Sequence, residues 1–174
     1  QQAMKSSLNH PLTGIIHVDE FMVGGPEENQ KGRSKGLKKL AVLAVEILDD
    51  GVGRAYAEVI EHSSATELGT FLKKYVSKEA TIITDKWRGY SPLKKDFLNL
   101  KQVDSDDGKN FKELHIHIMN IKGWLRGIHH HCSKEHMQDY LNEYHFRYNR
   151  RSNMGTIFDV LIRKMVNYKK ISIK

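Results

Sequence analysis

The sequence predicts an α/β fold in which a mixed five-stranded sheet, three antiparallel strands then two parallel additions, is flanked by helices. Three observations carry this. Three apolar, β-branched segments follow one another with only loops between them. A capped amphipathic helix then leads into a short apolar strand, and a helix crossover of that kind adds a parallel strand. Beyond residue 113 the pattern is helical.

The first strand is GIIHVDEFMV (14–23), apolar and β-branched with two adjacent carboxylates in its middle. KGRSKGLKK (31–39) has five basic residues and two glycines and reads as a basic loop or hairpin arm. LAVLAVEIL (40–48) and RAYAEVI (54–60) are strands joined by the turn DDGVG. Ser64 and Glu67 form a capping-box pattern, and Leu68, Phe71, Leu72, Tyr75 and Val76 recur at helical spacing. ATIIT (80–84) is a short apolar strand ending at Asp85, and LKQV (100–103) is a fifth. After the polar loop DSDDGKNFKE come a helix over 113–126 and a second over 134–150, whose stripe of Met137, Tyr140, Leu141, Tyr144 and Tyr148 reads as core. A last helix begins near Thr156, capped with Asp159, and is expected to bury Ile157, Val160, Leu161 and Met165.

At 174 residues the chain is sized for one domain. Residues 1–12 read as a linker entered in mid-chain, which the resemblance given below ties to a DNA-binding region upstream, 13–151 as the main domain and 152–174 as a C-terminal helix packed on it. No apolar run approaches the ~20 residues that span a bilayer. With 28 Lys and Arg against 21 Asp and Glu, the net charge is +7 and the expected partner is a polyanion, nucleic acid first. Cys132 is the only cysteine and the polar start lacks a signal-peptide core, which together point to the cytoplasm.

Alternation along the first strand puts Ile15, His17 and Asp19 on one face and Ile16, Val18 and Glu20 on the other, so only one of the adjacent acids can share a site with Asp85. Asp19 is the candidate. Two carboxylates suffice for Mg²⁺, which fills its shell with water and phosphate. HIHIMNIKGWLRGIHHH (115–131) contains no acid. It offers Asn120 as a neutral third oxygen ligand, with Lys122 and Arg126 as cations for phosphate. His129, His130, His131 and Cys132 fall short of the spacing of a structural zinc site and read as phosphate contacts or exposed surface. Trp87 and Trp124 read as packing beside the acids. No GxxxxGK[ST] motif occurs, so no nucleotide site is expected.

HVDEFMVGG, IITDKWRGY, MNIKGWLRGIHHHCSKEHMQ and YLNEYHFRYNRR, in this order, resemble a bacterial insertion-sequence transposase of the ISXO type, over about residues 14–151. That group lies in the DDE superfamily, and the resemblance implies a catalytic core similar to ribonuclease H and retroviral integrase. It implies Asp19, Asp85 and, in an Asp-Asp-Asn variant, Asn120 as metal-binding catalytic residues, with 34 residues between the last two, and Lys122 beside them. It further implies Mg²⁺ or Mn²⁺, two ions, and a homo-oligomer on double-stranded DNA in a bacterial, nucleoid-associated setting. The reaction implied is cleavage at transposon ends and strand transfer of the 3′-hydroxyl into target DNA. Lys31, Arg33, Lys35, Lys38, Lys39, Arg126, Arg147, Arg150 and Arg151 are the expected DNA contacts. Two alternatives share the fold: a nuclease that cuts without joining, and an inactive domesticated DNA-binding relative.

Overall fold

The computed structural model describes residues 2–24, 39–129, 132–133 and 135–167. Five strands, β1 (Ile15–Val23), β2 (Lys39–Leu48), β3 (Gly51–Ile60), β4 (Thr81–Thr84) and β5 (Leu100–Gln102), form one sheet in the order β3-β2-β1-β4-β5. The first three pair antiparallel, and β4 and β5 add in parallel, as the sequence predicts. The helices are α1 (Ala65–Tyr75), α2 (Lys112–Ile128), α3 (Met137–Tyr148) and α4 (Ile157–Val166).

Strand alternation divides the interior into two layers. Ile16, Val18, Val42, Ala44 and Ile82 pack against Leu68, Phe71 and Leu72 of α1. Phe21, Ala41, Leu43, Val45, Ala55 and Ala57 pack against Leu114, Ile118, Ile121 and Leu125 of α2 and Met137 and Leu141 of α3. Each fully buried side chain of this size contributes about 1.5–3 kcal/mol. Ser64 caps α1 by accepting the Glu67 N–H at 3.3 Å, while the Glu67 carboxylate reaches back to the amides of Glu61 and His62. That reach ties the end of β3 to the helix.

The exposed edge of β3 is covered by side chains of α3. Asn149 accepts the Ala55 N–H and donates to the Ala55 carbonyl, both at 2.9 Å. Gln138 accepts from Val59 N at 2.8 Å and donates to Ala57 O at 3.2 Å. Unpaired edge groups would otherwise invite another strand.

Four expectations are corrected. The helix expected over 134–150 begins at Met137, and its buried stripe is Met137, Leu141, His145 and Phe146, with Tyr140, Tyr144 and Tyr148 half-buried on its flank. The last helix buries none of its residues: it packs on the short turn Gln2–Met4 at the rim, leaving Met165 exposed. Its N-terminus takes no side-chain cap from Thr156, whose hydroxyl instead donates to the Asn153 carbonyl. Within 1–12, Leu12 is fully buried and bridges to Val76, so the core includes this end of the segment read as linker.

Candidate active site

β1 and β4 pair in parallel from Ile15 beside Thr81 to Val18 beside Thr84. Asp19 and Asp85 are the next residues in that register, on strands about 4.8 Å apart. Both belong to the α2 face, since Val18 and Ile82 point into the α1 layer. Asp85 closes a local turn by accepting the Trp87 N–H at 2.9 Å. Gln102 of β5 fixes the same turn by donating to the carbonyls of Asp85 and Trp87. Glu20 points to the other face, where the fully buried Tyr90 donates its hydroxyl to it. Burial, then the nearby Glu20, hold that hydroxyl well above its usual pKa, so it remains a donor. The alternation that singled out Asp19 from Glu20 is the one observed.

The Asp19 carboxylate accepts its neighbour's N–H from Glu20 at 2.7 Å and lies 3.4 Å from Nε2 of His115 on α2. Burial raises its pKa, as does the charge of Asp85, against the opposing pull of the Glu20 amide and His115. His115 has room because residue 108 is glycine: a Cβ there would stand 2.8 Å from His115 Nδ1, and the backbone at φ +86° also favours glycine. His17, on the same strand face as Asp19, sits edge-on to Phe111 at 5.2 Å, and burial lowers its pKa. It remains a neutral wall.

Asn120, expected from sequence as the third ligand, is exposed and five residues beyond His115 on α2, about 140° around the helix. The buried stripe of Leu114, Ile118, Ile121 and Leu125 separates the two flanks. The side chain brought to Asp19 is therefore that of His115. Lys122 lies two turns beyond His115 on its flank, with Arg126 a further turn on. Burial and the neighbouring Arg126 charge lower the Lys122 pKa. The signal that could have found His115 was its seven-residue spacing from Lys122, which puts both on one helix face.

The other expected contacts are distributed elsewhere. Lys31, Arg33, Lys35, Lys38, His130 and His131 lie outside the described residues. Lys39 donates to the Cys132 carbonyl. Arg147 pairs with Glu143 at 3.2 Å, and Arg151 donates to the carbonyls of Gly53, Val52 and Tyr148. Arg150 donates to the Phe146 carbonyl and stacks 4.0 Å from that ring. His129, expected at the surface, is instead stacked on Tyr140 at 3.9 Å and wedged against Trp124. Trp124 consequently packs toward α3, whereas Trp87 does lie beside the Asp85 turn and donates through Nε1 to Ser63 O.

Two carboxylates on one face of adjacent strands are oxygen donors of the kind a hard divalent cation takes, and burial, with the charge of Asp85 added to it, raises the Asp19 pKa. Among the described residues no three His, Cys, Asp or Glu side chains form a group that could hold a metal ion. Mg²⁺ does not require one, since it takes one or two carboxylates together with water and phosphate. Among these residues no helix is long and apolar enough to cross a membrane.

The architecture is that of a mixed α/β domain with a carboxylate pair at the end of two adjacent parallel strands, the place where α/β sheets commonly gather functional groups. The family model of the ISXO2-like transposase domain matches residues 11–149, and the chain belongs to that insertion-sequence transposase family. A search of curated proteins finds no match.

Proposed function

We propose that the chain is the ribonuclease H-like catalytic domain of a DNA transposase that cleaves phosphodiester bonds at transposon ends and joins the freed 3′-hydroxyl to target DNA. The observation supporting this is the convergence of Asp19 and Asp85 on one face of adjacent parallel strands, within a family of transposases. Asp19 and Asp85 are the residues that would hold Mg²⁺ or Mn²⁺, singly or as the pair of ions that phosphoryl transfer uses. Such an ion supplies Lewis acidity toward phosphate oxygens. His115 takes the third position that the sequence assigned to Asn120, and its Nε2 orients the Asp19 carboxylate. Lys122 and Arg126 continue along the same helix flank, where they hold the phosphodiester backbone. In the first step water attacks phosphorus and the 3′-oxygen leaves with a proton as a hydroxyl. In the second that hydroxyl attacks another phosphodiester, so one ester replaces another and no nucleotide is hydrolysed.

The test is nicking and joining of labelled duplex oligonucleotides with Mn²⁺. Asp19→Asn and Asp85→Asn are each expected to lower both products by at least about a hundredfold. Asp19→Asn should also raise the metal-free melting temperature at pH 7. The sign follows from the raised folded-state pKa: above the unfolded value near 3.9 the native state carries a costly charge, which the amide removes. Wild-type nicking by either variant defeats the assignment, and nicks without joined strands favour the nuclease reading.

A further inference from the structure

Remote from the acid pair, at the β3 edge, a shallow recess lies between residues 4–10, the β3 side chains Arg54 and Tyr56, and Asn142, His145, Asn149 and Arg150 along α3. Its lining includes Lys5, His10, Arg54 and Arg150 but no Asp or Glu. Among the described residues neither arginine forms an ion pair, and both are only partly exposed. Lys164 of α4 adds a further cation, lying over the Phe146 ring that Arg150 also covers. Burial and the neighbouring Arg54 charge lower the Arg150 pKa, and burial and Arg150 lower that of Lys164. Half-buried like charges are costly to gather unless an anion offsets them. The cavity volume is about 30 Å³, room for roughly two water-sized groups. That suits two oxygens of a phosphate whose chain continues outside, and it is too small for a buried ligand.

We propose that this recess, built on Arg54 and Arg150, is a second DNA-backbone site that grips a phosphodiester away from the one being cut. Arg54 shares the α1 face with Tyr56, opposite Asp19. In the sheet it stands two strands across and three residues along from Asp19, about 10 Å in each direction. The phosphate held there is therefore not the scissile one. A DNA-joining enzyme must hold two DNA segments, and this site grips one of them at a phosphodiester away from the reacting groups. The inference rests on the transposase reading above, but inorganic phosphate probes the recess without any DNA.

The experiment measures duplex affinity against salt concentration for Arg54→Gln and Arg150→Gln, with Lys101→Gln on the far edge as control. Each arginine variant is expected to weaken binding about tenfold and to lower the magnitude of the log–log salt slope by about one, while the control changes neither. Separately, inorganic phosphate should raise the melting temperature of the wild type and not that of folded Arg54→Gln. An unchanged slope in Arg54→Gln, or an equal fall in the control, overturns the proposal. Phosphate stabilisation that depends on Arg54 without any change in DNA affinity also overturns it, leaving a free-anion site. Absence of nicking by the wild type defeats the catalytic reading but leaves the phosphate result to judge the recess.

Discussion

His115 and Asn120 lie on one helix but on opposite flanks of its buried stripe, and this rotation decides which of them can serve Asp19. Removing His115 is expected to act on the site, whereas removing Asn120 is expected to act on neither site nor core, because its side chain is exposed. His115→Ala should therefore lower nicking by about tenfold to a hundredfold and weaken Mn²⁺ binding by titration calorimetry, with Asn120→Ala near wild type on both. The reverse order of effects returns the third position to Asn120. His115→Gln, which keeps a polar end of similar reach, separates positioning from packing: recovery of Mn²⁺ affinity without recovery of nicking marks the imidazole itself as the active group.

At the scale of elements, α3 and its C-terminal cap cover a strand edge with one face. Gln138 and Asn149 are eleven residues apart, close to three turns, so both amides meet the same strand edge. They satisfy backbone groups of β3 at Ala55, Ala57 and Val59. Asn149→Leu leaves the donor and acceptor of Ala55 unpaired while keeping the volume. A loss of about 1–3 kcal/mol in urea denaturation is expected, with a rise in concentration-dependent association as the edge is bared. Stability within about 0.5 kcal/mol of wild type is the result that removes this role. Beside α3, α4 packs on the short turn Gln2–Met4 and, among the described residues, leaves its apolar side chains Phe158, Ile162, Met165 and Val166 exposed.

For the molecule as a whole, the α2–α3 seam closes over two buried histidines. His145 donates Nδ1–H to the Leu141 carbonyl at 2.7 Å, so its Nε2 is free to accept from His117 Nε2 at 3.3 Å. Tyr144 and Tyr148 enclose His117, and the Arg151 charge opposes its protonation. Burial lowers the two imidazoles to about 3 for His117, where His145 and Arg151 add to the effect, and about 4 for His145. Below the unfolded value near 6.5 the unfolded chain takes up protons that the native state refuses, so the stability these groups contribute is full above 6.5 and is lost as pH falls toward 4. The expected slope is up to about 1.4 kcal/mol per pH unit for each histidine. Urea denaturation between pH 7 and 4.5 should show a shallower dependence for His117→Phe than for wild type, and parallel curves would place the acid sensitivity elsewhere. The sequence by itself determined the strands and the sense of their pairing, the capped crossover helix and the placement of Asp19 and Glu20 on opposite faces, because period-two alternation and apolar runs are local properties that one sheet enforces on every residue alike. Only the tertiary structure decided that His115 rather than Asn120 meets Asp19, that His117 and His145 form a buried pair, and that Arg151 braces β3. Those outcomes depend on how α2 and α3 rotate against the sheet, and that rotation is set by packing between segments far apart in the chain.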